Sequence, residues 1–249
     1  MKKDNNIDII SGRNAVEELL ESGKSIEKIF LHRGIRGPFE KYLRHSSREK
    51  GFPLSYVEKE KLDRISRSNH QGVIAFTTSI TYYSLDQLLP QIFEEGKTPL
   101  IVMLDGVTDV RNMGAISRSA EIFGANGLVV PIDGTAMIND FAMKASAGAL
   151  LRLPVCRERS LVKAVEFMQN SGLEVHGLDG NAEKEISDLP FDHPVAIVMG
   201  SEGKGLRPSV HKACDGHWRI PQMGQLESLN VSVAAGIVLY ESMKRRLKS

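Results

Sequence analysis

The sequence predicts an α/β protein: a small N-terminal αβ unit followed by a larger domain around an open parallel sheet. Three observations predict it. Short strand-like runs, several of them continuously apolar, recur from residue 99 onward: PLIVMLD (99–105), GLVVPI (127–132), LPVCR (153–157), LEVHGLD (173–179) and PVAIVMG (194–200), with a shorter HWRIP at 217–221. Runs that are apolar on both faces suit a parallel sheet covered on both sides. Helical segments separate them, an alternation that places a ligand site outside the carboxyl ends of the strands. Charge also divides along the chain, with 15 basic against 11 acidic side chains in residues 1–79 and 17 against 20 in residues 80–249. A basic front and an acidic back point to a division of labour.

In chain order, Ser11 is placed to cap a helix through NAVEELLESG, with Ala15, Val16, Leu19 and Leu20 on one face and Gly23 ending it. IEKIFLH (26–32) reads as a strand and FEKYLRHSSREKG (39–51) as a basic helix closed by Gly51. PLSYV (53–57), a short polar helix near EKEKLDRIS and a strand GVIAFTT (72–78) complete the unit. Domain limits are expected at 1–79, a linker at 80–97 holding one helix (LDQLLPQIFEE), and 98–249. Within the last span the helices are MGAISRSAEIFG, AMKASAGALL, LVKAVEFMQNSG and SLNVSVAAGIVLYESMKRRL.

Composition excludes several classes. The 249 residues carry a net charge of +1, which rules out a globally basic binder but not a local basic face. Cys156 and Cys214 are far apart, so neither a disulfide framework nor a Cys-x-x-Cys metal pair is expected. MKKDNNIDII turns polar before any long apolar run, and no run approaches the roughly 20 residues that cross a bilayer. A cytoplasmic protein without membrane attachment is expected. No phosphate-loop, dinucleotide, nucleophile-elbow or zinc-protease pattern is present, and the seven histidines show no ligand spacing.

Three polar, glycine-bearing stretches follow strands. In LDGVTDVRNMGAISRSAEIFGA (104–125), Asn112 lies where a helix starts and Arg118 lies off the apolar stripe of Ala115, Ile116, Ala120 and Phe123. Taken alone, these read as an N-cap and a solvated arginine. In IVMGSEGKGLRPSV (197–210), three glycines in six residues permit close backbone approach to a ligand, with Glu202 among them. In RIPQMGQLESLNVSVAAGIVLYE (219–241), Ser228 or Asn230 could cap a helix whose small residues Ser232, Ala234, Ala235 and Gly236 suit tight packing.

Together and in this order, the three stretches closely resemble the motifs of the SpoU/TrmH family of RNA ribose 2′-O-methyltransferases, within the SPOUT superfamily. The resemblance covers nearly the whole chain. SGRNAVEELL and SNHQGVIAF (68–76) look like the front domain of the longer members, among them those that modify a guanosine of 23S rRNA. One departure lies in the first motif, where Val110 follows Asp109 and the family often has proline.

The resemblance implies a SPOUT α/β domain with a C-terminal trefoil knot, an S-adenosylmethionine cofactor contacted at Gly200, Ile220 and Leu229, and no metal. It matches Asn112, Arg118, Glu202, Ser228 and Asn230 to the polar active site. Asn112 and Glu202 would orient Arg118, while Ser228 and Asn230 would fix the loop and cofactor. A guanidinium stays charged at any working pH, so a hold on phosphate and developing alkoxide suits Arg118 better than proton abstraction. The front domain would bind RNA through Arg13, Asn14 and the face of Lys41, Arg44 and Arg48. The C-terminal helix would form a homodimer interface. Expected partners are RNA, 23S rRNA ahead of tRNA, and a second copy of the chain. The alternatives are a tRNA ribose methyltransferase, a methyltransferase conferring resistance to ribosome-targeting antibiotics, and a catalytically silent RNA-binding assembly factor.

Overall fold

The computed structural model describes residues 8–225 and 228–248. The chain divides into two units, the first running to Thr81 and taking in Ile138–Asp140, the second formed by the rest.

The first unit contains β1 (Ile9–Ser11), α1 (Arg13–Glu21), β2 (Ile26–His32), α2 (Pro38–Lys50), β3 (Leu54–Val57), α3 (Lys59–Ile65) and β4 (Val73–Thr77). Its sheet runs β1-β4-β2-β3, antiparallel except for the parallel pair β2–β3. Val16, Leu19 and Leu20 of α1 pack with Leu43 of α2 against Ile29 and Leu31 of β2. The cap at the start of α1 differs from expectation. Ser11 ends β1, its hydroxyl donates to Ser66 Oγ, and Gly12 is the N-cap residue without a side-chain cap. Pairing with β4 takes Ser11 into the ladder, a demand not visible in the local sequence.

The second unit contains β5 (Tyr82–Tyr83), α4 (Leu85–Glu94), β6 (Leu100–Asp105), α5 (Val110–Ile122), β7 (Gly127–Pro131), α6 (Asp140–Ala145, all but its first residue), β8 (Val155–Glu158), α7 (Leu161–Asn170), β9 (Glu174–Leu178), β10 (Lys184–Glu185), β11 (Val195–Gly200), α8 (Pro208–Ala213), β12 (Gly216–Arg219) and α9 (Val231–Arg246). Its sheet runs β10-β12-β9-β11-β6-β7-β8-β5, and every neighbouring pair is parallel. The apolar runs therefore form the parallel sheet expected of them. Ile101, Met103, Val129, Val175, Ala196 and Val198 share one face with α4 and α7. Leu100, Val102, Leu104, Ile197 and Met199 alternate with them, are equally buried and serve the other face. There α5 and α9 pack together, with Phe123 set edge-on to Tyr240 at 6.0 Å.

Two local expectations are corrected. AMKASAGALL is not one helix: α6 ends at Ala145, Ala147 (φ +50°) and Gly148 turn the chain, and a 3-10 turn covers Ala149–Leu151. Part of the expected linker joins the sheet, because β5 pairs with β8 and α4 follows with a Ser84/Gln87 capping box.

Candidate active site

The site is built where β6 and β11 end side by side, with Gly200 paired to Asp105. Beyond β11 the chain folds back in a tight hairpin. Ser201 N–H donates to Gly205 O at 3.1 Å and Gly205 N–H to Ser201 O at 2.9 Å. A Cβ on Gly200 would lie 2.1 Å from the Gly205 carbonyl carbon, so this hairpin can form only over a glycine. The close approach expected of Gly200 is thus made by the chain's own backbone. Glu202 sits in the hairpin and is lifted into solvent.

From the first motif, α5 begins at an N-cap that is Asp109 rather than Asn112. Its carboxylate accepts from Arg111 N–H (2.7 Å) and Asn112 N–H (3.4 Å). The Arg111 guanidinium paired with it holds the Asp109 carboxyl down to about 2. Relieved of capping, the Asn112 side chain reaches across and its Nδ2 donates to Glu202 Oε1 at 3.0 Å. From the third motif, Asn230 caps α9, its Oδ1 accepting from Ser232 N–H (2.9 Å) and Val233 N–H (3.4 Å). Its Nδ2 donates to Asn112 Oδ1 at 3.1 Å and to Glu202 Oε1. Asn112, Glu202 and Asn230, drawn from three separated stretches, close into one hydrogen-bonded network.

Glu202 also lines a cavity of about 630 Å³ at the carboxyl ends of β9, β11 and β12. Gly200, Ile220, Ser228 and Leu229 all line it, so each expected cofactor contact is at its wall. Arg118 is not drawn in. It is exposed on α5 and makes none of the described hydrogen bonds or ion pairs, so Asn112 and Glu202 bind each other and do not orient it.

Sequence reasoning missed four further residues of the cavity wall. Asp179, Asn181, His211 and Trp218 line the same cavity. Asp179 Oδ1 accepts Asn181 N–H at 2.9 Å and Oδ2 takes His211 Nε2 at 3.1 Å; the backbone N–H and the imidazole hold this carboxyl below its usual value against the opposing effect of burial. His211 stacks on His217 at 3.6 Å, and burial pushes His217 down. The signal was the Asp-Gly turn after the strand LEVHGLD, at the end of a strand where such sites occur.

The remaining expected residues lie on the first unit. The Arg13 guanidinium rests over the Phe39 ring at 5.3 Å, Asn14 is exposed, and Lys41, Arg44 and Arg48 are exposed along α2. Arg44 Nε is 3.9 Å from Glu40. Among the described residues no helix is long and apolar enough to cross a membrane.

Residues 99–240 match the model of the SpoU rRNA Methylase family, and residues 9–83 match a model described as RNA 2′-O ribose methyltransferase substrate binding. The chain belongs to the SpoU/TrmH family. It is a methyltransferase of that family, in keeping with the motifs. A TrmH family protein of Bacillus subtilis, whose name pairs tRNA with rRNA, is 34% identical over 240 residues, 96% of each chain. The SpoU methyltransferase AviRb from Streptomyces viridochromogenes, solved with the cofactor AdoMet, superposes with a TM-score of 0.61 at 24% identity, covering 97% of this chain and 91% of that one. A solved RNA 2′-O ribose methyltransferase gives a TM-score of 0.57 at 26% identity, covering 99% and 91%.

Proposed function

We propose that this SpoU-family chain transfers a methyl group from S-adenosylmethionine to a ribose 2′-hydroxyl of RNA, with a guanosine of 23S rRNA as target. The observation that carries the proposal is the Asn112–Glu202–Asn230 network at the rim of a cavity lined by Gly200, Ile220 and Leu229. The cavity fits the cofactor. Gly180, Gly200, Gly203 and Gly205 put no side chains in its wall, while Leu178, Ile220 and Leu229 offer apolar surface to an adenine. When bound, the cofactor supplies a methyl on a cationic sulfur, open to in-line attack by the hydroxyl. Ser228 and Asn230 fix the third-motif stretch and the cofactor, and Glu202 holds both asparagines in one orientation. Arg118 grips the target phosphate and stabilises the developing alkoxide as the hydroxyl loses its proton to a substrate phosphate or water.

Arg13, Asn14, Lys41, Arg44 and Arg48 of the first unit attract the RNA backbone. Val233, Ile237 and Tyr240 leave an exposed apolar stripe on α9, which a second copy of the chain covers in a homodimer. The trefoil knot implied for the C-terminal region and a cytoplasmic location belong to the same proposal. The front domain favours rRNA; the B. subtilis relative's name, which pairs tRNA with rRNA, keeps a tRNA target as the second reading. The test is transfer of labelled methyl to unmodified 23S rRNA and, in parallel, to unmodified tRNA, mapped by alkali resistance. Ribose label in rRNA supports the proposal and label in tRNA replaces its substrate. Cofactor binding without transfer to either overturns both targets; no cofactor binding supports a silent RNA-binding factor.

A further inference from the structure

A second cavity, of about 440 Å³, lies wholly within the first unit, between the end of β2, helix α3 and the turn before β4. Its wall is pre-formed. The buried His70 accepts Gly72 N–H at Nδ1 (2.9 Å), so its proton sits on Nε2 and is donated to Asp63 Oδ1 (2.9 Å). His32 N–H donates to Gly72 O at 2.8 Å, tying the turn to β2. The half-buried His32 ring is packed so closely on Gly34 that a Cβ there would lie 2.7 Å from its Cε1. None of the described hydrogen bonds uses either nitrogen of that ring, which leaves a fixed aromatic plate at the cavity.

The polar groups around this plate are arranged by sign. Asp63 Oδ2 makes none of the described hydrogen bonds and Oδ1 accepts His70 alone among them, so each oxygen of the half-exposed carboxylate keeps a lone pair as an acceptor. Gln71 stands in the left-handed region (φ +48°), where an L side chain is strained. Its Oε1 is occupied by Arg13 N–H at 3.0 Å, so the Nε2 protons remain as donors. Lys59, one turn before Asp63 on α3, lines the cavity and makes none of the described ion pairs. A plate for stacking, a carboxylate acceptor, an amide donor and an ammonium group are what an unstacked nucleotide requires. Among the bases, guanine alone offers two adjacent N–H donors, N1–H and N2–H, beside the O6 acceptor.

We infer that this cavity receives one unpaired guanine of the RNA. The base stacks on His32, its N–H edge meets Asp63, its O6 meets Gln71, and Lys59 meets the phosphate. The inference rests on RNA being the substrate, as proposed above, and gives the first unit a means of choosing a loop beyond attraction to phosphates.

The test is a titration of the full-length, ¹⁵N-labelled protein with GMP, AMP, CMP, UMP and ribose 5-phosphate, following the backbone amides of residues 68–72. GMP is expected to shift them with an affinity at least about fivefold above every other probe. Gln71→Gly suits the backbone at that position and is expected to weaken GMP about tenfold without lowering the melting temperature. No shift, an equal shift with ribose 5-phosphate, or tighter binding of another nucleotide overturns the inference. Methyl transfer to RNA without a GMP response overturns the guanine site alone. A GMP response without transfer overturns the proposed function and leaves the site standing.

Discussion

Asp105 binds Arg207 twice: Oδ2 accepts the Arg207 backbone N–H at 2.7 Å and Oδ1 accepts its Nε–H at 2.5 Å. The carboxylate is fully buried at the end of β6, whereas the guanidinium is about half exposed. The pair pins the far end of the hairpin that carries Glu202 and sets the N-cap of α8. Removing the carboxylate leaves the N–H without its partner and the loop without its anchor. Asp105→Ala is expected to cost about 2–3 kcal/mol in urea unfolding. Arg207→Ala, which keeps the backbone bond, is expected to cost less than about 1 kcal/mol.

Gly200→Ala forces a methyl carbon into the Gly205 backbone. The hairpin must open, and the cavity wall moves with it. S-adenosylmethionine affinity, measured by calorimetry, is expected to fall more than about tenfold, the result of about 1–3 kcal/mol of overpacking. Unchanged affinity would mean that the cofactor does not lie against this wall.

Arg118 and Asn230 separate chemistry from stability. Arg118 is exposed and outside the described hydrogen bonds, so Arg118→Ala is expected to leave the melting temperature unchanged. Methyl transfer is expected to fall about 10²–10³-fold, with RNA binding kept within several-fold. Asn230→Ala loses the cap of α9 as well as the network, and is expected to cost about 1 kcal/mol of stability in addition to activity.

Acid should loosen the second unit through His176. Burial pushes this imidazole below its ordinary value, despite its bond to Glu174. The unfolded chain then takes up a proton more readily than the folded one. Stability is fully present above the unfolded value of about 6.5 and is lost as pH falls from there through the folded value. Melting curves at pH 7.5, 6.5 and 5.5 should descend, and His176→Gln should flatten the descent.

Neither cysteine should react in the native state. Burial pushes both Cys156 and Cys214 up to about 12. At pH 8 roughly one thiol in ten thousand is a thiolate. A disulfide-exchange reagent is expected to titrate neither thiol until denaturant is added, and rapid labelling of either would refute this.

The runs at 99–105 and 194–200 were legible as strands because a parallel sheet buried on both faces writes itself as unbroken hydrophobicity. The turn after each was legible through glycine. Strands of two or three residues were not: β1, β5 and β10 exist only because a neighbour's edge is available to pair with. Asn112 looked like a cap because asparagine before a helix usually is one, but Asp109 stands three residues earlier and takes the amides. That displacement frees Asn112 for Glu202, a partner 90 residues away that no local pattern specifies. Asp179 and His211 escaped for the same reason, meeting across 32 residues and two elements.

The order of the parallel sheet also constrains how the chain is made. β6 pairs with β11 along its whole length, yet β11 leaves the ribosome roughly 90 residues after it. Until then β6, with β7 and β8 laid on one side, carries an open and strongly apolar edge on the other. Such an edge invites pairing with other nascent chains. Assembly of the sheet's middle is therefore a late, long-range event in the life of each molecule, and slow folding with a need for protection during synthesis follows from the same strand order that creates the cavity.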